Sequence, residues 1–288
     1  MKVDAPGLYS MTLPEYIADP APEPSLSASA AHTLITQTAI HTYMRHPRLN
    51  PGAPREESKV ADIGTIAHGL LLEGDESRIV LIEADDWRTK DAKEKRDAAY
   101  AEQKIPLLGK QLGPIRKMVE VARSAIAHSE LASAFTPQAG KAEQTMVWEE
   151  KGVWLRSRPD WLTDDRRLII DLKTTTGSAE PTAWIRTMLG NGADIQAALG
   201  LRGLRTLFNA KDPQFVFIVL EQDPPYGVSF VGLSPQFMEM AESKLNRAIQ
   251  RWGDCVLTNT WTGYPNRVCW MEPPAFAWTQ EMEENHAL

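Results

Sequence analysis

The sequence predicts an α/β fold in which a mixed β-sheet is flanked by helices. Two observations carry that prediction. Apolar residues recur at three- and four-residue spacing in the first half of the chain and again after residue 181, whereas from 145 to 172 short runs rich in Val, Ile, Trp and Leu alternate with turn-like stretches. The resulting order of helices, three strands, helix, further strands and a last helix is what a sheet covered by helices requires.

Residues 1–26 carry Pro14, Pro20, Pro22 and Pro24 around short apolar pieces, which suits an extended N-terminal arm better than a helix. Ser27 or Ser29 then caps a helix running to about residue 45, ended by the Pro and Gly of PRLNPGAP (47–54). A second helix contains IGTIAHGLLLEG, where Ile63, Ile66, Ala67, Leu70 and Leu71 share a face and His68 lies on or beside it. The charged, Ala-rich stretch 85–104 reads as a solvated helix or loop, and Ile115, Met118, Val119, Ala122 and Ile126 predict a long amphipathic helix over 110–134. The runs 145–148, 153–162 and 168–172, separated by EEKG and TDDRR, predict a three-stranded antiparallel meander. Residues 182–207 are helical in composition, interrupted by Gly190-Asn191-Gly192, and two strands follow at 214–221 and 226–233. Ser234 as N-cap and Pro235 at the first helical position open a final helix with Phe237, Ala241, Leu245, Ala248, Ile249 and Trp252 as its stripe. The expected division is an arm (1–26), one body (27–270) and an acidic tail (271–288).

The chain has 288 residues, 31 Lys and Arg against 38 Asp and Glu, a formal charge of −7, and 43% hydrophobic residues. That is enough to bury a core within one large domain, and it excludes disorder over most of the length. The longest apolar stretches, such as FVFIVL at 215–220, fall far short of the ~20 residues that cross a bilayer. The N-terminus lacks a basic start followed by an apolar run, so a cytoplasmic location without a signal peptide is expected. The two cysteines, Cys255 and Cys269, cannot supply a four-cysteine zinc or iron–sulfur site.

The chemistry is concentrated in RSRPDWLTDDRRLIIDLKTTT (156–176). Asp160 ends one predicted strand, Asp171 ends the next, and Lys173 follows two residues later on the same side. Neighbouring antiparallel strands joined by a turn bring the two carboxylates together. An Asp-x-Lys pair alone is usually a surface ion pair. Here the apolar run LIID puts Asp171 at the end of a buried strand, where a carboxylate demands a neutralising proton or cation. Mg²⁺ or Mn²⁺, which prefer oxygen ligands, would serve, and Lys173 would orient an attacking water or hold a phosphate. A metal-dependent phosphodiester hydrolase follows.

The motif Pro159-Asp160 then Asp171-Leu172-Lys173 resembles the PD-(D/E)xK nuclease superfamily with its restriction-endonuclease-like core. The wider strings AEQTMVWEEKGVWLRSRPDWLTDDRRLIIDLKTT, GTIAHGLLLEG, ADIQAALGL and SLSASAAHTLI resemble the RecE-type exonuclease (exodeoxyribonuclease VIII) nuclease domain of phages and prophages over about residues 8–252. The resemblance implies that His68, Asp160, Asp171 and the Leu172 carbonyl are metal ligands, that Lys173 is the catalytic lysine, and that Gln196 and Glu143 belong to the site. Thr174, Thr175, Arg156 and Arg158 become candidate phosphate contacts. It further implies Mg²⁺ as cofactor, without an iron–sulfur cluster, in a bacterial or phage-infected cell. The substrate would be double-stranded DNA ends, digested from the 5′ strand to leave a 3′ single strand for a single-strand annealing protein, by a ring-shaped homo-oligomer with a tetramer as the expected size. One departure is Asp194-Ile195-Gln196, where the family often has a tyrosine ahead of the glutamine. A structure-specific or restriction-like endonuclease on the same core, and a DNA-binding module with an unused site, remain as alternatives.

The acidic total needs local basic stretches if DNA is to be held. Lys110, Arg116, Lys117 and Arg123 on the long helix, and Arg186, Arg202, Arg205 and Lys211 after the motif, supply them. Trp252, Trp261, Trp270 and Trp278 read as core or interface residues rather than base-stacking platforms.

Overall fold

Pro14 starts a helix rather than preventing one. In the computed structural model, which describes residues 1–52, 63–72, 74, 76–102, 104–274, 277–279 and 282, a strand β1 (Gly7–Ser10) is followed by a short helix α1 (Leu13–Ile17). The Thr12 hydroxyl accepts from the Glu15 amide while the Glu15 carboxylate accepts from the Thr12 amide, and Pro14 sits in the first turn, where no N–H is missed. The expectation of a purely extended arm is thereby corrected. Its residues Val3, Met11 and Ala21 are buried in a small cluster with Val147.

The helix expected over 27–45 is two helices, α2 (Ala28–Thr36), capped by Ser27, and α3 (Ala39–Arg45), because the backbone leaves helical geometry at Gln37 and Thr38. Helix α4 (Ile63–Leu72) carries His68. A parallel pair that sequence patterning does not reveal, β2 (Ile79–Ile82) and β3 (Ile105–Leu108), brackets α5 (Lys90–Ala101), the charged helix, which buries only Ala92 and Ala99. Helix α6 (Gly109–Ala127) buries the predicted stripe. Strands β4 (Gly140–Ala142), β5 (Gln144–Glu150), β6 (Val153–Ser157), β7 (Trp161–Thr163) and β8 (Leu168–Thr175) follow. Helices α7 (Pro181–Asn191) and α8 (Ala193–Phe208) meet at Gly192, whose φ of 71° is left-handed and where a side chain would collide with His32. Strands β9 (Gln214–Glu221) and β10 (Val228–Gly232) and helix α9 (Pro235–Thr258), capped by Ser234, complete the order.

The meander expected over 145–172 is corrected as well. β5 and β6 form a hairpin in a three-stranded sheet β1-β5-β6, whereas β7 and β8 belong to a five-stranded sheet β10-β9-β8-β7-β4. The chain changes sheets at Arg158-Pro159-Asp160, where proline offers no ladder donor. β8 runs parallel to β9 and antiparallel to β7, so the larger sheet is mixed, as predicted. One face, with Ile169, Phe215 and Phe217, packs on α2, α8 and α9; the other, with Ile170, Leu172 and Ile218, packs on α4 and α6. Among the described residues no helix is long and apolar enough to cross a membrane. Most of the expected acidic tail, including Glu281, Glu283 and Glu284, and the Ala53-Pro54 end of the predicted helix stop lie outside the described residues.

Candidate active site

Strand β8 delivers Asp171 and Lys173 to one place because both lie on the same side of a pleated strand. Asp171 is fully buried, and its Oδ1 accepts a 2.6 Å hydrogen bond from Gln196 Nε2 on α8. Its Oδ2 lies 2.5 Å from Lys173 Nζ as an ion pair but receives no well-directed hydrogen bond. Asp160, immediately before β7, is tied to the same strand by a 2.7 Å bond from the Leu172 amide to its Oδ2. From the opposite side α4 brings His68, with Nε2 2.9 Å from Asp160 Oδ1 and Nδ1 3.5 Å from Glu143 Oε1. Glu143 sits between β4 and β5 with φ of 57°, donates its amide to the Asp160 carbonyl at 2.9 Å, and pairs with Arg158. The six side chains expected from the sequence therefore form two groups, His68 with Glu143 and Asp160, and Asp171 with Lys173 and Gln196, joined where the Leu172 amide of β8 donates to Asp160.

The electrostatics divide the two aspartates. Burial and then the nearby Asp160 charge push Asp171 up to about 6, against the pull of Lys173. Burial also opposes ionisation of Asp160, but the hydrogen bond and charge of His68, together with Lys173, outweigh it and hold Asp160 below the usual carboxylate range. Burial opposes protonation of His68 and Lys173 too. The Asp160 hydrogen bond and charge raise His68, and the Asp171 and Asp160 charges raise Lys173, each above its ordinary value. Lys173 is thus an ammonium at neutral pH.

Whether these residues suit a divalent cation can be judged from the donors. Among the described residues no three His, Cys, Asp or Glu side chains already converge as a metal-holding cluster. His68 and Lys173 stand against the carboxylates instead. The donor chemistry nevertheless fits a hard cation: two carboxylates on adjoining elements, one with a buried oxygen whose one close cation, Lys173, makes no well-directed hydrogen bond to it. The site opens on a cleft of about 450 Å³ lined by His68, Glu143, Asp160, Leu172, Lys173 and Thr174, among others. Asp171 lies behind that wall.

Some expected phosphate contacts are not placed for the task. Arg156 is buried and pairs with Asp19 at 3.2 Å while donating to Ser25, so its side chain is spent on the N-terminal segment. Thr175 is buried, with its hydroxyl accepting from the Gly177 amide. Arg158 and Thr174 do line the cleft, the first paired with Glu143 and the second accepting from Gln222. Sequence reasoning missed Leu13, Tyr16 and Arg78, which also line it. The Thr12-Leu-Pro-Glu15 capping signature could have flagged the first two; Arg78 has no local signal.

A family model described as a PDDEXK-like domain of unknown function (DUF3799) matches residues 39–269. A crystal structure of a "putative exonuclease" from Eubacterium rectale is similar over 94% of this chain and 98% of its own, with 14% identity and a TM-score of 0.55. A second solved structure, SSO0001, matches over 65% of this chain and 87% of its own at 12% identity, with a TM-score of 0.26. Among curated proteins none matches.

Proposed function

Because the chain belongs to the PDDEXK-like domain family whose model matches residues 39–269, we propose that it is a Mg²⁺-dependent DNA exonuclease, with Mn²⁺ able to substitute. PDDEXK nucleases usually use divalent metal ions. The observation that carries the reading is the fully buried Asp171 beside Asp160, with Lys173 and His68 as counter-charges. Buried charges cost several kcal/mol each unless well paired. An apolar pair would serve a purely structural sheet better.

In this reading Asp160, Asp171, the Leu172 carbonyl and His68 would hold the metal. His68 would take that role only by giving up its hydrogen bond to Asp160, since imidazole ligates through a neutral ring nitrogen. A bound divalent cation supplies charge to the scissile phosphate and lowers the pKa of a bound water. Lys173 Nζ, held as an ammonium, donates to the attacking water or a phosphate oxygen instead of removing a proton. Gln196 fixes Asp171 Oδ1 and leaves Oδ2 to face Lys173, while Glu143, braced by Arg158, orients the His68 ring. Digestion of the 5′ strand at duplex ends, delivery of 3′ single strands to an annealing protein and a ring-shaped homo-oligomer follow from the RecE-type resemblance, and two cysteines cannot build a four-cysteine iron–sulfur cluster. The name of the Eubacterium rectale protein supports exonuclease over endonuclease action.

End-labelled linear, nicked and circular duplexes incubated with Mg²⁺ or with EDTA test the reading. Linear DNA should shorten from its ends only with metal, and covalently closed circles should survive. Cleaved circles would move the assignment to an endonuclease. Intact substrates under Mg²⁺ and Mn²⁺ alike would remove the enzyme.

A further inference from the structure

Beyond the cleft at Asp160 and Lys173 lies a second pocket of about 960 Å³. It shares Leu13, Arg78, Glu143 and Arg158 with the first, so the two are parts of one trough. One wall is the N-terminal segment 10–15, outside the stretch matched by the family model, and the other includes Arg78, Glu102 and Lys104 beside the β2–β3 pair. Both walls are held in place. β1 is laddered onto β5, Arg158 donates to the Met11 carbonyl at 3.5 Å, and the Arg78 carbonyl accepts from the Ile105 amide at 2.7 Å.

The charges along this trough are nearly all paired. Glu15 is taken by the N-terminal ammonium at 3.1 Å, Glu102 by Lys104 at 2.7 Å and Glu143 by Arg158, while Lys173 is occupied by Asp171. Among the described residues lining either pocket, Arg78 is the one cation with no acidic partner, and it borders both. An exposed arginine unpaired at the junction of an active-site cleft and its extension presents a planar donor fork suited to phosphate oxygens.

Resting on the nuclease reading above, we propose that the second pocket is a strand-binding subsite in which Arg78 grips a backbone phosphodiester next to the scissile one, with the N-terminal segment as its outer wall. The ligand is a polynucleotide strand held through phosphate, with no base-edge readout. The test combines steady-state cleavage of a labelled linear duplex with anisotropy binding to the same DNA in EDTA, both across a salt series. The variants are Arg78→Ala, Arg78→Lys and, as an equal loss of charge away from the trough, Arg88→Ala, whose side chain is 91% exposed. Arg78→Ala should raise KM and the EDTA Kd about tenfold, more than it lowers kcat, and reduce the slope of log affinity against log salt by about one. Arg78→Lys should recover most of the slope, and Arg88→Ala should match wild type. A wild-type salt slope and KM in Arg78→Ala, or an identical change in Arg88→Ala, would overturn the subsite. If wild type binds DNA in EDTA but cleaves none under any metal, the nuclease reading falls, and the Arg78 slope still decides the subsite.

Discussion

Asp171 bears a charge where the protein holds one with difficulty. Burial and the neighbouring Asp160 push it up to about 6, and the carboxylate must lose its proton before it can ligate a metal. His68 is raised as well and must be neutral to ligate. Both requirements act in one direction, so metal affinity should fall as pH drops towards and through about 6. Mn²⁺ titration by calorimetry at several pH values should record that fall, with part of it removed in His68→Ala. Asp171→Asn should lose both Mn²⁺ binding and cleavage. Lys173→Ala should instead keep Mn²⁺ binding and lower kcat by about 10²–10³-fold, the usual effect of deleting one donor to a developing negative charge. Matching losses of metal affinity in the two variants would show that their roles are misassigned. The aspartates, the lysine and their apolar strand were legible in sequence because all the signals are local: LIIDLK states burial, phase and chemistry within six residues. Arg156 and Arg158 looked equivalent because alternation along one strand does not say what covers each face. The structure separates them by placing Ser25, 131 residues away, over Arg156.

Asp19 explains why the N-terminal segment is an element of the fold rather than a loose arm. It sits buried at φ of 66°, accepts from Ser25 Oγ at 2.5 Å and from the Ser25 amide at 2.9 Å, and pairs with Arg156 at 3.2 Å and His46 at 3.3 Å. Arg48 adds bonds to the carbonyls of Ala21 and Pro22 at 2.7 and 2.9 Å. This clasp joins residues 19–25 to α3 and β6 and so steadies the wall of the trough. Asp19→Ala leaves Arg156 buried without its acid, and urea unfolding should register a loss of about 3–5 kcal/mol. Burial opposes the Asp19 charge, but the His46 hydrogen bond, Arg156 and the Ser25 bonds hold its carboxyl below the usual range. A depressed acid contributes stability above its unfolded value, about 3.9, that is lost as pH falls through the folded one. The gap between wild type and Asp19→Asn should therefore close on acidification below about pH 4. An unchanged gap would show that the clasp is carried by the Ser25 hydrogen bonds alone. Elements with their own caps and periodicity, such as α6 and α9, were readable from sequence. β1, β2 and β3 were not, because four-residue strands have no periodicity to read and their pairing is set by distant partners. The split of the expected meander was hidden for a related reason: Pro159 announces a break, but not that the chain re-enters a different sheet.

At the scale of the molecule, the formal charge of −7 meets a basic surface that is thinner than the sequence suggests. Arg202 and Arg205 share Glu242, Arg202 also approaches Glu150, and Arg116 is held by Glu76 at 2.5 Å. Four of the eight basic residues singled out in the sequence, Arg116, Lys117, Arg202 and Arg205, are thus tied to carboxylates, which thins the surface available for phosphate without removing it. A single copy would therefore grip DNA at fewer points than the sequence suggests, with an affinity that falls as salt rises. Symmetry supplies a remedy, since a closed ring repeats each weak patch around one axis and turns separate contacts into simultaneous ones. The chain also offers apolar surface for such packing. Trp252 is core and Trp261 rests on it, but Leu257, Trp270 and Met271 are 86%, 91% and 87% exposed beyond or at the end of α9. Exposed large apolar groups clustered along one segment are costly in a lone monomer and ordinary at an interface. The expected outcome is a ring-shaped homo-oligomer, a tetramer by the RecE-type resemblance, whose troughs face the central hole. Light scattering at micromolar concentration should give that mass for wild type and a smaller species for Trp270→Asp combined with Met271→Asp. A trap-DNA assay should show many nucleotides removed per encounter by the wild type and few by the double variant. A wild-type monomer that releases DNA after a few nucleotides would rule out the ring, and would assign the exposed C-terminal aromatics to some other contact.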